Sequence, residues 1–394
     1  MLLYEGPMGK LDKYIFWQIA SAAFMTVALF VFVLVLGNVF KEVLGDLLAG
    51  RMSFTFFLKV VALIIPGVIP YSLPMGMLTG ILLVFGRMSA QSEITAMKAC
   101  GHSIFAMTAP VFLLSILACV VSFFINFYYA PAADYAYKNA IRNVIRQNPM
   151  QFIKAGSFVK DFPGYVIFAD EVGSSENELL GFRIWELDAQ GRVRVAARAD
   201  KATARYDAEK DDIVMRLENA TAEYSDQNDP EILNKPLRSG KFGVSEVRLP
   251  LDKIIGDSYK ERKRPKRMTL DELVASIDTW HKVPLETLPP EKRAHQAKID
   301  RIEISTQIQK NFAMAFSIFS MVVLAVPLGI KASRSETFVN LAIAVALAMT
   351  YYMITVFITW LENYPQLRPD LLIWIPNFLF QGVGAVLIWR ASKH

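Results

Sequence analysis

The chain has 394 residues, 53% hydrophobic and 20% charged, with a formal net charge of +5 and a mean hydropathy of +0.31. The apolar content is gathered into long uncharged runs, which excludes a soluble protein built around one large core. The small positive charge is a weak hint of nucleic acid or lipid, and its distribution says more than its total. The only two cysteines, Cys100 and Cys119, fall at or within one apolar run, so the hydrophilic middle has no disulfide framework.

Six runs carry no charged residue over about one bilayer thickness: Tyr14–Phe40, Val60–Gly86, Ala99–Ala133, Asn311–Ile330, Thr337–Leu361 and Leu371–Trp389. A helix needs about 20 apolar residues to cross the hydrocarbon core, so each run predicts a transmembrane helix. Basic residues gather at Lys10 and Lys13, Arg87 and Lys98, Lys331 and Arg334, and Arg390 and Lys393. The short connections on the other side hold Lys41, Arg51 and Arg368. This asymmetry places both termini in the cytoplasm and exports the middle of the chain. The first span reads as an uncleaved anchor.

The second span contains Pro66, Pro70 and Pro74 with several glycines. Such a segment is either an ordinary kinked helix packed through small residues or a helix at a moving interface. Between spans two and three, Arg87 to Ser103 predicts a short cytoplasmic helix. Ser92 is placed to cap it, Ile94, Met97 and Lys98 fall roughly on one side, and Gly101 is placed to end it. One acid, Glu93, and a few apolar side chains suit docking to a soluble partner; a polar interfacial helix with no partner is the plainer alternative.

The period then changes. Tyr165–Ala169, Phe182–Glu186, Arg192–Val195 and Ile213–Glu218 are short, β-branched or aromatic, and separated by turn signals such as Phe162-Pro163-Gly164 and Asp211-Asp212. They predict an antiparallel sandwich, roll or barrel. The basic run Lys260–Arg267 reads as a solvated linker or a patch near lipid phosphates. Thr269 and Glu272 fit a capping box opening a short amphipathic helix with Leu270, Leu273, Val274, Ile277 and Trp280 on one face. Pro284, Pro289 and Pro290 break it, and a second helix from about Glu291 runs into the fourth span.

Several segments resemble one family specifically. The span-two prolines, Ser72-Leu73-Pro74, Leu78-Thr79-Gly80, Gly86-Arg87-Met88, Ser92–Met97 and Ala99-Cys100-Gly101 look like the permeases of the lipopolysaccharide-export ABC transporter, the LptF/LptG family. Leu11-Asp12-Lys13-Tyr14 and Pro327-Leu328 are similar too. The start is similar to LptG, while Ser92–Gly101 is closer to LptF. The resemblance implies an α-helical membrane protein with six transmembrane helices and an inserted periplasmic β-jellyroll. Its parts are helices 1–3 (residues 1–135, with a coupling helix at about 87–100), a jellyroll with linkers (136–268), periplasmic helices (269–310) and helices 4–6 (311–394). It implies pairing with a second permease, an LptB-type ATPase dimer that binds the ATP, and an LptC-type periplasmic bridge protein. Arg87, Ser92, Glu93, Ile94, Met97 and Gly101 are then ATPase-coupling residues, with Glu93 at the acidic contact. Pro66, Pro70 and Pro74 are candidate gating kinks. Lys41 falls where a basic residue meets the lipid's phosphates, although a lysine snorkelling to the headgroups fits as well. One turn earlier, Asn38 stands where the family has a basic residue.

The chain has no phosphate-binding G-x-x-x-x-G-K-[ST] loop, no H-E-x-x-H and no cysteine pair for zinc, and its four histidines are scattered. It therefore reads as catalytically inert on its own, without cofactor, metal or nucleic acid. A membrane-anchored sensor or scaffold, or a permease for another lipid or lipoprotein, are the alternatives. A sensor ordinarily carries a sizeable cytoplasmic output domain, and the cytoplasmic segments here are short.

Overall fold

A computed structural model describes residues 9–44, 47, 53–147, 155–159, 164–173, 178–188, 191–207, 209, 212–224, 238–250, 263–281, 289–331, 337–361 and 364–393. The chain divides into two compact units: a helical one (1–45, 54–135 and 265–394) and one holding the sheet (46–53 and 136–264).

In the helical unit, α1 is Lys10–Glu42, α2 Phe54–Ala90, α3 Glu93–Ala99 and α4 Ile104–Phe124. A π-helical turn, Ile125–Tyr129, joins α4 to α5, Ala130–Gln147, whose residues from 136 onward belong to the second unit. Later come α6 (Leu270–Ser276), α7 (Pro290–Lys331), α8 (Thr337–Trp360), α9 (Pro369–Leu372) and α10 (Ile375–Lys393). Among the described residues six helices are long and apolar enough to cross a membrane, one for each uncharged run. The hydrophobic window of α7 is 78% buried whereas that of α1 is 11% buried, so α7 is the pillar and α1 a peripheral rod. The pillar packs against α2, α4 and α10, and α1 packs chiefly on α2.

Small residues bring these axes together. A Cβ on Gly80 would lie 2.8 Å from the Ala23 backbone, and one on Gly76 would lie 2.7 Å from the Cα of Val27. Thr26 donates across this seam to the Gly76 carbonyl at 2.7 Å. Pro66, Pro70 and Pro74 all lie inside α2, which runs unbroken through them. Each removes a donor to the carbonyl four residues back, and the four-residue spacing stacks the vacancies along one stripe. Helix α8 supports this region, since Tyr352 donates to the Tyr71 carbonyl at 2.8 Å.

The capping box at Thr269 and Glu272 is formed. Leu273 and Trp280 are buried in a cluster with Phe127, Met268 and Ile304, and Leu270 and Ile277 pack against it. Val274 departs from the expected face and is 56% exposed. Behind the cluster, the fully buried Asp300 faces His281 Nδ1 at 3.2 Å and accepts from Gln296 at 2.8 Å. Pro290 opens α7, where its missing N–H costs nothing, and α7 runs unbroken into the fourth span. Pro284 lies outside the described residues.

The second unit holds one antiparallel sheet of β1 (Tyr165–Phe168), β2 (Glu171–Val172), β3 (Glu178–Leu187), β4 (Val193–Asp207), β5 (Asp212–Tyr224) and β6 (Arg238–Pro250). The order is β1-β3-β4-β5-β6, with β2 also on β3. Strands β3, β4 and β5 run well past the segments expected, and β6 replaces an unassigned polar stretch. Alanine-rich 196–204 belongs to β4 because it is central. Ala202 is paired between Leu179 and Leu217, and Ala199 faces Phe182, so small residues on β4 make room for large neighbours. A line of irregularity crosses the sheet. Gly181 on β3 (φ 61) and Asn219 on β5 (φ 53) are left-handed, and Asp200 stands between them on β4. At this line the buried set changes parity in β3, β4 and β5: Leu179 to Phe182, Ala202 to Ala199, Leu217 to Ala220.

Candidate functional site

The joint between α2 and α4 is built by three local devices. Helix α2 ends at Ala90 and the chain turns at Gln91 and Ser92. Ser92 is left-handed (φ 61, ψ 13) and its side chain makes no capping bond, contrary to the expected serine cap. A left-handed residue turns its side chain away from the first helical N–H groups, so the turn is closed through the backbone instead. Its N–H donates to the Ser89 carbonyl at 3.0 Å and its carbonyl accepts from Ala96 at 2.9 Å. The other end is as expected. Gly101 (φ 86) donates to the Lys98 carbonyl at 2.9 Å and His102 donates to that of Met97 at 3.1 Å. That pair of bonds is a Schellman motif, and the left-handed conformation favours glycine.

Between these ends α3 is amphipathic in the opposite sense from a docking helix with apolar contacts outward. Ile94 is 5% exposed within the main core, and Met97 packs against the same core. Spacing of three puts both on one face, and that face is taken by the bundle. They anchor the helix, leaving Thr95, Ala96, Lys98, Ala99 and Cys100 exposed. Glu93 is half-buried and accepts from the Tyr14 hydroxyl at 3.3 Å. Arg87, exposed in the last turn of α2, donates to the Gln18 side-chain carbonyl. Ser89 donates to the Ile330 carbonyl at the end of the pillar, at 2.8 Å. Arg87, Ser92, Glu93, Ile94, Met97 and Gly101 are therefore brought together in one joint. Its partners on α1 are Tyr14, noted in the sequence only within the Leu11–Tyr14 resemblance, and Gln18, which was not singled out; their four-residue spacing places them on one helix face.

Lys41 lies in the last turn of α1, at the opposite end of the rod from the joint, and its side chain is outside the described residues. The helix leaves Trp17, Phe24, Met25 and Phe32 exposed, each above 60%. Pro70 and Pro74 are buried and Pro66 is half-buried. Also unread in the sequence was a buried polar cluster. Asn377, with no exposure, accepts from Ser320 at 3.0 Å and Tyr351 at 3.1 Å, and donates to the Ala313 carbonyl at 3.0 Å. Gln381 donates to Ser320 at 2.9 Å. Two amides four residues apart in an apolar span were the available signal. Among the described residues no group of three or more His, Cys, Asp or Glu is placed to hold a metal ion.

Residues 13–390 match the family described as Lipopolysaccharide export system permease LptF/LptG. The lipopolysaccharide export system permease protein LptF of Escherichia coli K12 is 20% identical over 352 residues, covering 88% of this chain and 86% of that protein. LptF of Shigella flexneri matches equally, at 20% over the same length.

Proposed function

The chain belongs to the lipopolysaccharide export permease family LptF/LptG, and on that premise we propose that it is a permease subunit extracting lipopolysaccharide from the outer leaflet of the bacterial inner membrane. It works beside a second permease of the same family, on an LptB-type ATPase dimer that binds the ATP, and passes its lipid to an LptC-type periplasmic bridge. The sheet unit is then part of the periplasmic jellyroll, and both termini are cytoplasmic. The chain contributes shape and motion and performs no hydrolysis itself.

The observation that carries this reading is the joint. A seven-residue helix is clamped to the bundle by Ile94 and Met97 while its acid and its polar face remain reachable. Such a helix transmits force from a soluble partner because pushing it moves the core. The energy need is real, since each acyl CH₂ taken from the bilayer costs about 0.8 kcal/mol. Lys41 meets the lipid's phosphates at the far end of α1, and the Pro66, Pro70 and Pro74 stripe lets the second span adjust as the lipid passes.

The test is purification of the native complex with its ATPase and measurement of ATP turnover with and without lipopolysaccharide. Stimulated turnover is expected, and Glu93→Lys should strip the ATPase while leaving the chain in the membrane. An ATPase-free complex, or transport that continues after depletion of this chain, would overturn the reading.

A further inference from the structure

We infer that Tyr14 and Gln18 are positioning residues that fasten the cytoplasmic joint to α1, making that helix the rod through which ATPase motion reaches the outer leaflet. The inference rests on the reading of the joint as an ATPase-coupling element and goes beyond it by naming the route.

The two bonds straddle the break in the chain. Arg87 precedes the Gln91-Ser92 turn and holds Gln18; Glu93 follows it and holds the Tyr14 hydroxyl at 3.3 Å. Tyr14 and Gln18 are four apart on α1, so they form two rungs on one face. Any change of angle at Ser92 must then break a rung or carry the inner end of α1 with it. Above the rungs α1 cannot slip on α2, because the backbones of Ala23 and Val27 lie within 2.8 Å of where Cβ atoms on Gly80 and Gly76 would be. The Thr26 bond to the Gly76 carbonyl locks that register. The rod is one helix of 33 residues, about 50 Å at 1.5 Å per residue, with Lys41 in its last turn.

Glu93 is thereby a bridge. Its Oε2 accepts from Tyr14, and its Oε1 makes no hydrogen bond among the described residues, leaving an acceptor for a cationic side chain of the ATPase.

The experiment uses the full complex in lipid nanodiscs containing lipopolysaccharide, reading ATP hydrolysed and lipopolysaccharide released in the same sample. Tyr14→Phe keeps the ring and removes the donor; Gln18→Met keeps length and removes the acceptor. Each should lower lipopolysaccharide released per ATP about threefold, the loss expected from one hydrogen bond, with the ATPase still bound. Gln18→Glu, which keeps an acceptor for Arg87, should release close to the unaltered amount of lipopolysaccharide per ATP. Unchanged release per ATP in Tyr14→Phe and Gln18→Met, or a loss in Gln18→Glu as large as in Gln18→Met, overturns the relay. If the unaltered complex lacks the ATPase or releases no lipopolysaccharide, the functional reading itself has failed, an outcome seen before any substitution is made.

Discussion

Replacing Gly76 by alanine tests whether the seam between α1 and α2 is as tight as its geometry requires. The added Cβ would lie 2.7 Å from the backbone N and Cα of Val27, whereas ordinary contact begins at 3.4 Å. Backbone atoms cannot rotate away, so α1 must retreat by about 0.7 Å, the difference between those distances. The Thr26 bond to the Gly76 carbonyl, 2.7 Å in the parent, is stretched or lost by that retreat. Overpacking of this kind costs about 1–3 kcal/mol, and a lost interhelical hydrogen bond in a membrane adds about 0.6. The better helix propensity of alanine returns up to about 1 kcal/mol. The net expectation is a loss of roughly 1–3 kcal/mol, read by reversible denaturation of the purified chain in mixed micelles. Gly67→Ala is the internal control. It lies in the same helix with nothing within 4 Å, so only the propensity gain applies and stability should hold or rise. A Gly76→Ala protein as stable as Gly67→Ala would refute the close-packing argument.

Three further outcomes follow from other sites. Asn377→Leu removes the acceptor of Ser320 and Tyr351 and the donor to Ala313; at about 0.6 kcal/mol per bond it should cost about 2 kcal/mol in micelle denaturation, and a neutral substitution would show that the cluster is not a clamp. His281→Ala takes one partner from the buried Asp300; at about 2 kcal/mol, amide exchange of Trp280, which donates to the Ser276 carbonyl at 2.9 Å, should quicken about 30-fold. Unaltered exchange there would mean that α6 is held without the His281 contact. Alkali should loosen the sheet. Lys201 is raised above its ordinary 10.5 by its bond to Glu178, and Tyr165 above 10.0 by burial, then by the nearby Glu186 charge. Both native groups hold their protons longer than the unfolded chain does. Their contribution is whole below pH 10 and falls as pH climbs past those values. Lys201→Met with Tyr165→Phe should flatten that alkaline slope, followed by the fluorescence of Trp185; an unchanged slope would put its origin elsewhere.

The helical frame was legible because the membrane leaves a coarse signature, and all six uncharged runs match long apolar helices. What the run boundaries hid was continuation into polar sequence, as in α7, whose first twenty residues carry many charges yet belong to the same rod as the fourth span. The sheet was less legible. Alanines 196–204 favour helix by local preference, and only their place between Leu179, Phe182 and Leu217 makes them strand. In the candidate site the ends of α3 were half readable. Gly101 announces its own conformation, whereas Ser92 takes a left-handed turn that nothing about serine demands. Ile94 and Met97 were assigned to the correct helix and share a face, but sequence gives only the face, and packing shows the bundle core covering it. The pairing of Tyr14 and Gln18 with the joint was invisible because their partners lie more than sixty positions away.

The irregular line through Gly181, Asp200 and Asn219 bears on how such a sheet tolerates change in length. In a regular strand, losing one residue turns every later side chain to the opposite face. Here three neighbouring strands already make that half-step at the same level. A deletion or insertion at the line need only straighten or deepen the existing irregularity, whereas one placed two residues away would expose Ala202, Leu217 or Phe182. A change in strand length is thus best absorbed in one transverse seam, which divides the sheet into two halves of opposite facing.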